Sequence, residues 1–238
     1  MDTSAYTALS RQTGLRRELD IIANNVANAN TNGFRREDLV FSEFVKSAGA
    51  QAPSLSMVAA NAHRIVLDQA GIEITGGTFD FAIEGPGFFQ IARDGNTYLT
   101  RAGHFMPDQD GLLVNGDGHQ LLDAGGAPVF VPPGTEVALA SDGTLSADGR
   151  PIALIGLMQP VDELDLERGG GNLFAVRGEL EPVDGIHLVQ GALEKSNVNS
   201  IAEIARLIEV QRRYESTKGF LDREDQRIKS VIQTLGRS

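Results

Sequence analysis

The sequence predicts an α+β protein: long N- and C-terminal helices pairing as a coiled coil, with an inserted antiparallel all-β domain. Three observations predict it. Apolar residues recur at steps of three and four near the N-terminus and at steps of seven near the C-terminus. Between these ends the period falls to two and glycine turns follow at short intervals.

The N-terminal pattern runs from Ala5 to about Asn30. Leu15, Leu19, Ile22 and Val26 fall on one narrow stripe, and Ala23, Ala27 and Ala29 keep the flanks thin. Asn24 and Asn28 fall on the opposite side, and Asn25, Asn30 and Asn32 complete a run of five amides. Asparagine competes with the backbone for hydrogen bonds and is a mediocre helix former, so amides inside a periodic segment call for a reason beyond helix formation. "TNGF" reads as the stop, with Gly33 able to take a left-handed cap conformation and Phe34 to fold back.

The C-terminal helix starts near Ser200, where Ser200 and Glu203 are spaced as a capping box. Leu207, Tyr214, Leu221, Ile228 and Leu235 follow at intervals of seven. The second apolar position of the heptad is filled only by Ile204 and Ile232; Gln211, Lys218 and Asp225 occupy it in between. Such a broken seam suits packing in a larger assembly and is weak alone.

The middle reads as strands between turns. "FDFAIEGPGFFQIARDGNTYLT" gives short strands around Gly85-Pro86-Gly87 and a turn at Asp94-Gly95, with Phe88 and Phe89 as a core pair. The turn signals "NGDG", "AGGAP", "PPG", "SDG" and "ADG" continue to residue 149. The organisation expected is therefore an N-terminal helical assembly segment (1–38), an irregular connector (39–70), the inserted β domain (71–191) and a C-terminal helical assembly segment (192–238). Ends so distant in sequence, with both faces specified, suit copies that pack laterally.

Charge supports this division. Residues 68–187 hold 19 Asp/Glu against 5 Lys/Arg, a net −14, whereas residues 1–67 carry +1 and residues 188–238 carry +2. An acidic middle argues against nucleic-acid binding, which needs clustered Lys/Arg. The chain has no cysteine, which excludes disulfides, thiol catalysis and Cys-based metal sites. No apolar run is long enough to span a membrane, and the N-terminus lacks a Sec-type signal.

Catalytic chemistry finds little footing. His63, His104, His119 and His187 lack metal-type spacing, and no Walker loop or GxSxG elbow is present. "PDQDGLLVNGDGH" (107–119) lacks the alternating acidic ligands and closing glutamate of a calcium loop, and reads as two hairpin turns around Leu112-Leu113-Val114. Asp162, Glu163, Asp165 and Glu167 alternate with Leu164 and Leu166 and run into three glycines, as a solvated edge strand does. Metal, cofactor and catalytic residues are all expected to be absent.

Three segments resemble one family. "LDIIANNVANANTNGFRRE" (19–37) is similar to the N-terminal signature of the flagellar rod and hook proteins, through Asn24, Asn25, Asn28, Asn30, Thr31, Gly33 and Phe34. "QGALEKSNVNSIAEIARLIEVQRRYES" (190–216) resembles the C-terminal motif, with Leu193, Glu194, Ser196, Asn197, Val198, Gln211, Arg212, Tyr214 and Glu215 in register. "ITGGTFDFAIEGPGFFQI" and "YLTRAGHFMPDQDGLLVNGDGHQLL" resemble the segments shared by rod proteins with a β domain, although Gly76-Gly77 and Phe79 stand where the family more often has Gly-Asn and Leu.

The resemblance implies a non-enzymatic structural subunit of the basal body that self-assembles and transmits motor torque. Its short length and its tail point to the proximal rod; the alternatives are a distal-rod subunit and a periplasmic protein acting on peptidoglycan. It further implies a place in the periplasmic part of the flagellum, and export without a cleaved signal through the flagellar type III apparatus. The partners implied are other rod subunits and copies of itself, with no nucleic acid and no membrane insertion. Within the family the terminal helices pair as an inner layer, with the β domain outside. Leu15, Leu19, Ile22 and Val26 are then expected against Ile204, Leu207 and Ile208, with Asn24, Asn25 and Asn28 directed at neighbouring subunits.

Overall fold

A computed structural model describes residues 3–46 and 55–235. The chain divides into two compact units. The helical unit comprises residues 1–27, 37–64 and 199–238, and the β unit comprises residues 28–36 and 65–198.

In the helical unit, helix α1 (Thr3–Ala27) and helix α2 (Ser200–Leu235) pack on one another. α1 ends at Ala27, three residues before the periodic pattern fades. α2 begins one residue after Asn199, whose Oδ1 accepts from the N–H groups of Ile201 and Ala202, both at 3.1 Å. Asn199 is therefore the N-cap where the spacing of Ser200 and Glu203 suggested a capping box, because its side chain reaches two of the orphan donors of the first turn.

The irregular connector expected over 39–70 is a correction. Glu37–Lys46 and Leu55–Ile65 are strands that pair with each other. The second strand, "LSMVAANAHRI", holds three alanines, no Phe, Tyr or Trp, and only two β-branched residues, Val58 and Ile65, so its composition hid it. Leu39 packs against Ile21 of α1.

The β unit is antiparallel throughout its described pairings. Its largest sheet has seven strands in the order 166–170, 173–176, 96–100, 89–93, 120–122, 113–114, 106–107. A three-stranded sheet (137–139, 144–147, 150–154) and three two-stranded pairs complete the unit; one pair joins Ala192–Glu194 to Ile72–Ile74. The main core gathers Phe81, Phe89, Phe105, Ile91, Leu113, Leu121, Leu145 and Ile155, with the Phe105 ring centroid 5.6 Å from Phe89 and 5.9 Å from Phe81. Phe88 and Phe89 do not share a core. As neighbours near the start of a strand they point to opposite faces, and Phe88 joins a second cluster with Ile65, Leu99, Leu166 and Phe174.

The turns follow the Asx-Gly spacing. Asp94 and Gly95 both have positive φ and close the 89–93/96–100 hairpin, as a primed turn requires. Asp108, Asn115 and Asp123 open three loops of one design: each side-chain oxygen accepts the N–H groups two and four residues on. The segment with a superficial likeness to a calcium loop thus uses its Asx oxygens on its own backbone.

Candidate assembly interface

The N-terminal stripe closes on α2. Leu15, Ile22 and Val210 are buried together, flanked by Leu19, Val26, Leu207 and Tyr214. Of the residues read as the C-terminal half of this seam, Leu207 and Tyr214 take part, whereas Ile204 and Ile208 do not. They are 45% and 47% exposed, and Ile201 beside them is 83% exposed. The centre of the seam is Val210, at 2% exposure, roughly 120° round the helix from Ile204 and roughly 160° from Ile208. The heptad reading missed Val210 because it placed the second apolar position four residues after each member of the Leu207/Tyr214 series, at Gln211, whereas the buried residue lies three residues after Leu207. Gln211, Arg212 and Glu215 are exposed, and Gln211 donates to Glu215. The side chains of Ile228, Ile232 and Leu235 lie outside the described residues.

The amides of the N-terminal motif separate into two kinds. Asn24 and Asn30 are exposed and Asn28 is half-buried, its Oδ1 accepting from the Thr31 hydroxyl. Asn25 is fully buried. Its Nδ2 donates to the Glu37 carbonyl (2.9 Å) and to Glu203 Oε2 (3.4 Å), and its Oδ1 accepts from the Glu37 N–H (3.0 Å). This corrects the expectation that Asn25 faces a neighbouring subunit: its side chain holds α1, the first strand and the first turn of α2 together. Beside it Arg206 donates to Glu18 (3.0 Å) and Asp38 (2.9 Å). Partial burial works against the guanidinium charge, but these two carboxylates prevail and raise its pKa.

The second half of the N-terminal motif belongs to the β unit, where it meets the C-terminal motif. The Gly33 N–H donates to the Glu194 carbonyl (2.8 Å), and Gly33 has φ +70°. A Cβ there would stand 2.3 Å from the Ala102 nitrogen, so only glycine admits this approach. Phe34 is buried, and the Arg168 guanidinium lies 4.4 Å from its ring centre. Residues 28–36 form a strap in the β unit; Asn197 Oδ1 accepts from its Arg36 N–H (2.6 Å), and Asn197 Nδ2 donates to the carbonyls of Val66 and Asp68. Leu193 is buried, and Ser196 and Val198 are half-buried, joined by a bond from the Val198 N–H to the serine hydroxyl. Thr31 is half-buried, its N–H bonded to the Asn28 carbonyl.

At the centre of this junction are Arg35, Arg101 and Glu194, exposed by 0%, 4% and 1%. Glu194 accepts from Arg35 Nη2 at 2.6 Å, from Arg101 Nη1 at 3.2 Å and from the Ala70 N–H at 2.9 Å. Burial pulls the Arg101 guanidinium down to about 10 against the pull of Glu194, and the charge of Arg35 adds to the decrease. Sequence reading named Glu194 and neither arginine. A basic residue after Gly-Phe was the one available signal for Arg35.

The acidic cluster has ordinary structural uses. Asp162 caps a 3₁₀ turn by accepting the Leu164 N–H, Glu167 pairs with Arg177, and Leu166–Gly170 is an edge strand of the seven-stranded sheet. Among the described residues no His/Asp/Glu group has the arrangement of a metal site, and no helix is long and apolar enough to cross a membrane.

Comparison with known proteins agrees with this geometry. Residues 6–35 match the family model described as flagella basal body rod protein, residues 82–147 the flagellar hook protein FlgE/F/G D1 domain, and residues 189–234 the flagellar basal body rod FlgEFG protein C-terminal. The chain is 37% identical to the flagellar basal-body rod protein FlgF of Caulobacter vibrioides, covering 100% of this chain and 99% of that one. It is 36% identical to FlgF of Mesorhizobium japonicum, with 99% of each covered. The flagellar basal-body rod protein FlgG of Bacillus subtilis is more distant, at 30% identity over 96% of this chain and 97% of that one. With family matches at both ends of the sequence and in its middle, and relatives of this kind over its full length, the chain belongs to the flagellar basal-body rod protein family, as a structural rod subunit of the FlgF type.

Proposed function

We propose that this chain is a non-enzymatic subunit of the proximal rod, assembled in the periplasm with copies of itself and other rod subunits to carry torque. One observation supports this most. One face of α2 is closed on α1 through Leu207, Val210 and Tyr214, while Ile201, Ile204 and Ile208 stand exposed on the adjoining face. Three isoleucines in a row on an exposed helix face are what a lateral helix contact needs. Asn24, Asn28 and Asn30 offer directional amides for the same purpose, since a hydrogen bond fixes orientation better than an apolar contact does.

On this reading the α1–α2 pair extends into a coiled-coil layer when neighbouring copies cover the second face. The chain reaches its place through the flagellar type III export apparatus without a cleaved signal. Quantitative mass spectrometry of purified basal bodies tests it. A few copies per motor beside the other rod subunits are expected; several-fold more would indicate the distal rod, and absence would refute the reading.

A further inference from the structure

Two arginines and one carboxylate share the interior of the β unit, and the carboxylate comes last in the chain. Arg35 and Arg101 precede Glu194 by 159 and 93 residues. Among the described residues Glu194 is the one carboxylate that either arginine contacts, Arg101 has the Gly85 carbonyl besides (2.7 Å), and Nε and Nη1 of Arg35 and Nε of Arg101 find no acceptor. We propose that Glu194 is a folding latch: the β unit does not close its core around residues 28–36 and the corner at Arg101 until the C-terminal motif delivers this carboxylate.

The reason is electrostatic. Guanidinium groups keep their charge at neutral pH, so they cannot escape burial by losing a proton. Two such cations without a carboxylate are like charges in a medium of low dielectric, each stripped of water. The packing around them is unforgiving, because Gly33 lies against the backbone of residues 101–102. The strap therefore cannot seat with one arginine turned out to solvent. Glu194 resolves this at a single point, since its carboxylate and carbonyl together bind Arg35, Arg101, Ala70 and Gly33. One consequence rests on the rod reading: a chain exported N-terminus first would keep its acidic middle open until residue 194 is clear of the channel.

Refolding of the full-length chain from denaturant at neutral pH, followed by pulsed hydrogen exchange and mass spectrometry, tests the latch. In the natural chain, residues 89–100 and 113–122 gain protection in the same phase as residues 192–198. Glu194→Gln slows that phase by about tenfold or more, or abolishes it. The combined variant Arg35→Met, Arg101→Met, Glu194→Met removes the charges while keeping bulk. It recovers the natural rate and protects residues 89–100 before residues 192–198. The latch is overturned by early core protection in the natural chain, by Glu194→Gln folding at the natural rate, or by a combined variant as slow as Glu194→Gln. None of these outcomes depends on whether the protein assembles into rods.

Discussion

Arg35 Nη2 lies 2.6 Å from Glu194 Oε1, a buried ion pair between residues 159 apart in sequence. The N-terminal motif therefore meets the C-terminal motif twice. Leu15 to Asn25 meet α2 in the helical unit, and Gly33 to Arg36 meet Glu194 and Asn197 in the β unit.

Gly33→Ala places a methyl group against the backbone of Arg101 and Ala102 and holds alanine at φ +70°. The clash is with main chain, which cannot turn aside. A loss of about 3 kcal/mol or more is expected, read as a lowered melting temperature of the purified chain. A change within about 0.5 kcal/mol would show that the strap is not seated as described.

Asn25 and Asn24 should behave oppositely although they are adjacent. Asn25→Ala removes the three hydrogen bonds of a fully buried side chain, an expected cost of about 2–4 kcal/mol in denaturant unfolding. Exposed Asn24→Ala is expected to cost about 0.5 kcal/mol or less in the isolated chain. Equal costs would contradict the division of the amides.

The same contrast applies along α2. Val210→Ala empties part of the seam and should cost about 2 kcal/mol. Ile204→Ala, on the exposed face, should cost about 0.5 kcal/mol or less by the same denaturation measurement.

Asp80 provides a pH test. Burial works to raise its pKa, but hydrogen bonds from Thr75 (2.5 Å) and His104 (2.6 Å), with the charge of His104, outweigh it and bring the pKa below the ordinary value. A depressed carboxylate contributes stability above its unfolded pKa, about 3.9, and loses it as pH falls through the folded pKa. Asp80→Asn should therefore be less stable than the natural chain at pH 6, and the difference should shrink steadily as pH falls below about 4. A difference independent of pH would show that the aspartate charge plays no part.

The fold was legible where one period ruled a segment. The stripe Leu15, Leu19, Ile22 and Val26 marked α1, and the Asx-Gly pairs marked the turns, because left-handed backbone at Gly95, Gly111 and Gly118 favours glycine. The strand pair at Glu37–Lys46 and Leu55–Ile65 was illegible because the second strand centres on Ala59, Ala60 and Ala62 and has only Val58 and Ile65 as β-branched residues, a weak strand signal.

The meeting of the two terminal motifs within the chain was legible as a set of residues and less so as a geometry. Both terminal motifs come together as their sequence suggested, yet Asn25 turned inward and Ile204 and Ile208 outward. Helical spacing assigns a residue to a sector of the helix, and neighbouring sectors of α2 are both apolar, so the choice between them rests on the crossing of α1. Arg101 could not be read at all: nothing local to "LTRAG" indicates that its guanidinium is buried beside two residues from the chain's ends.

The central claim is that α2 carries a second, intermolecular face, and the double variant Ile204→Asp, Ile208→Asp tests it most directly. Basal bodies would be isolated from cells carrying the variant and imaged, with the melting temperature of the purified chain measured alongside. The account predicts an unchanged melting temperature together with basal bodies that lack a completed rod. Complete rods and normal motility with the variant incorporated would contradict it.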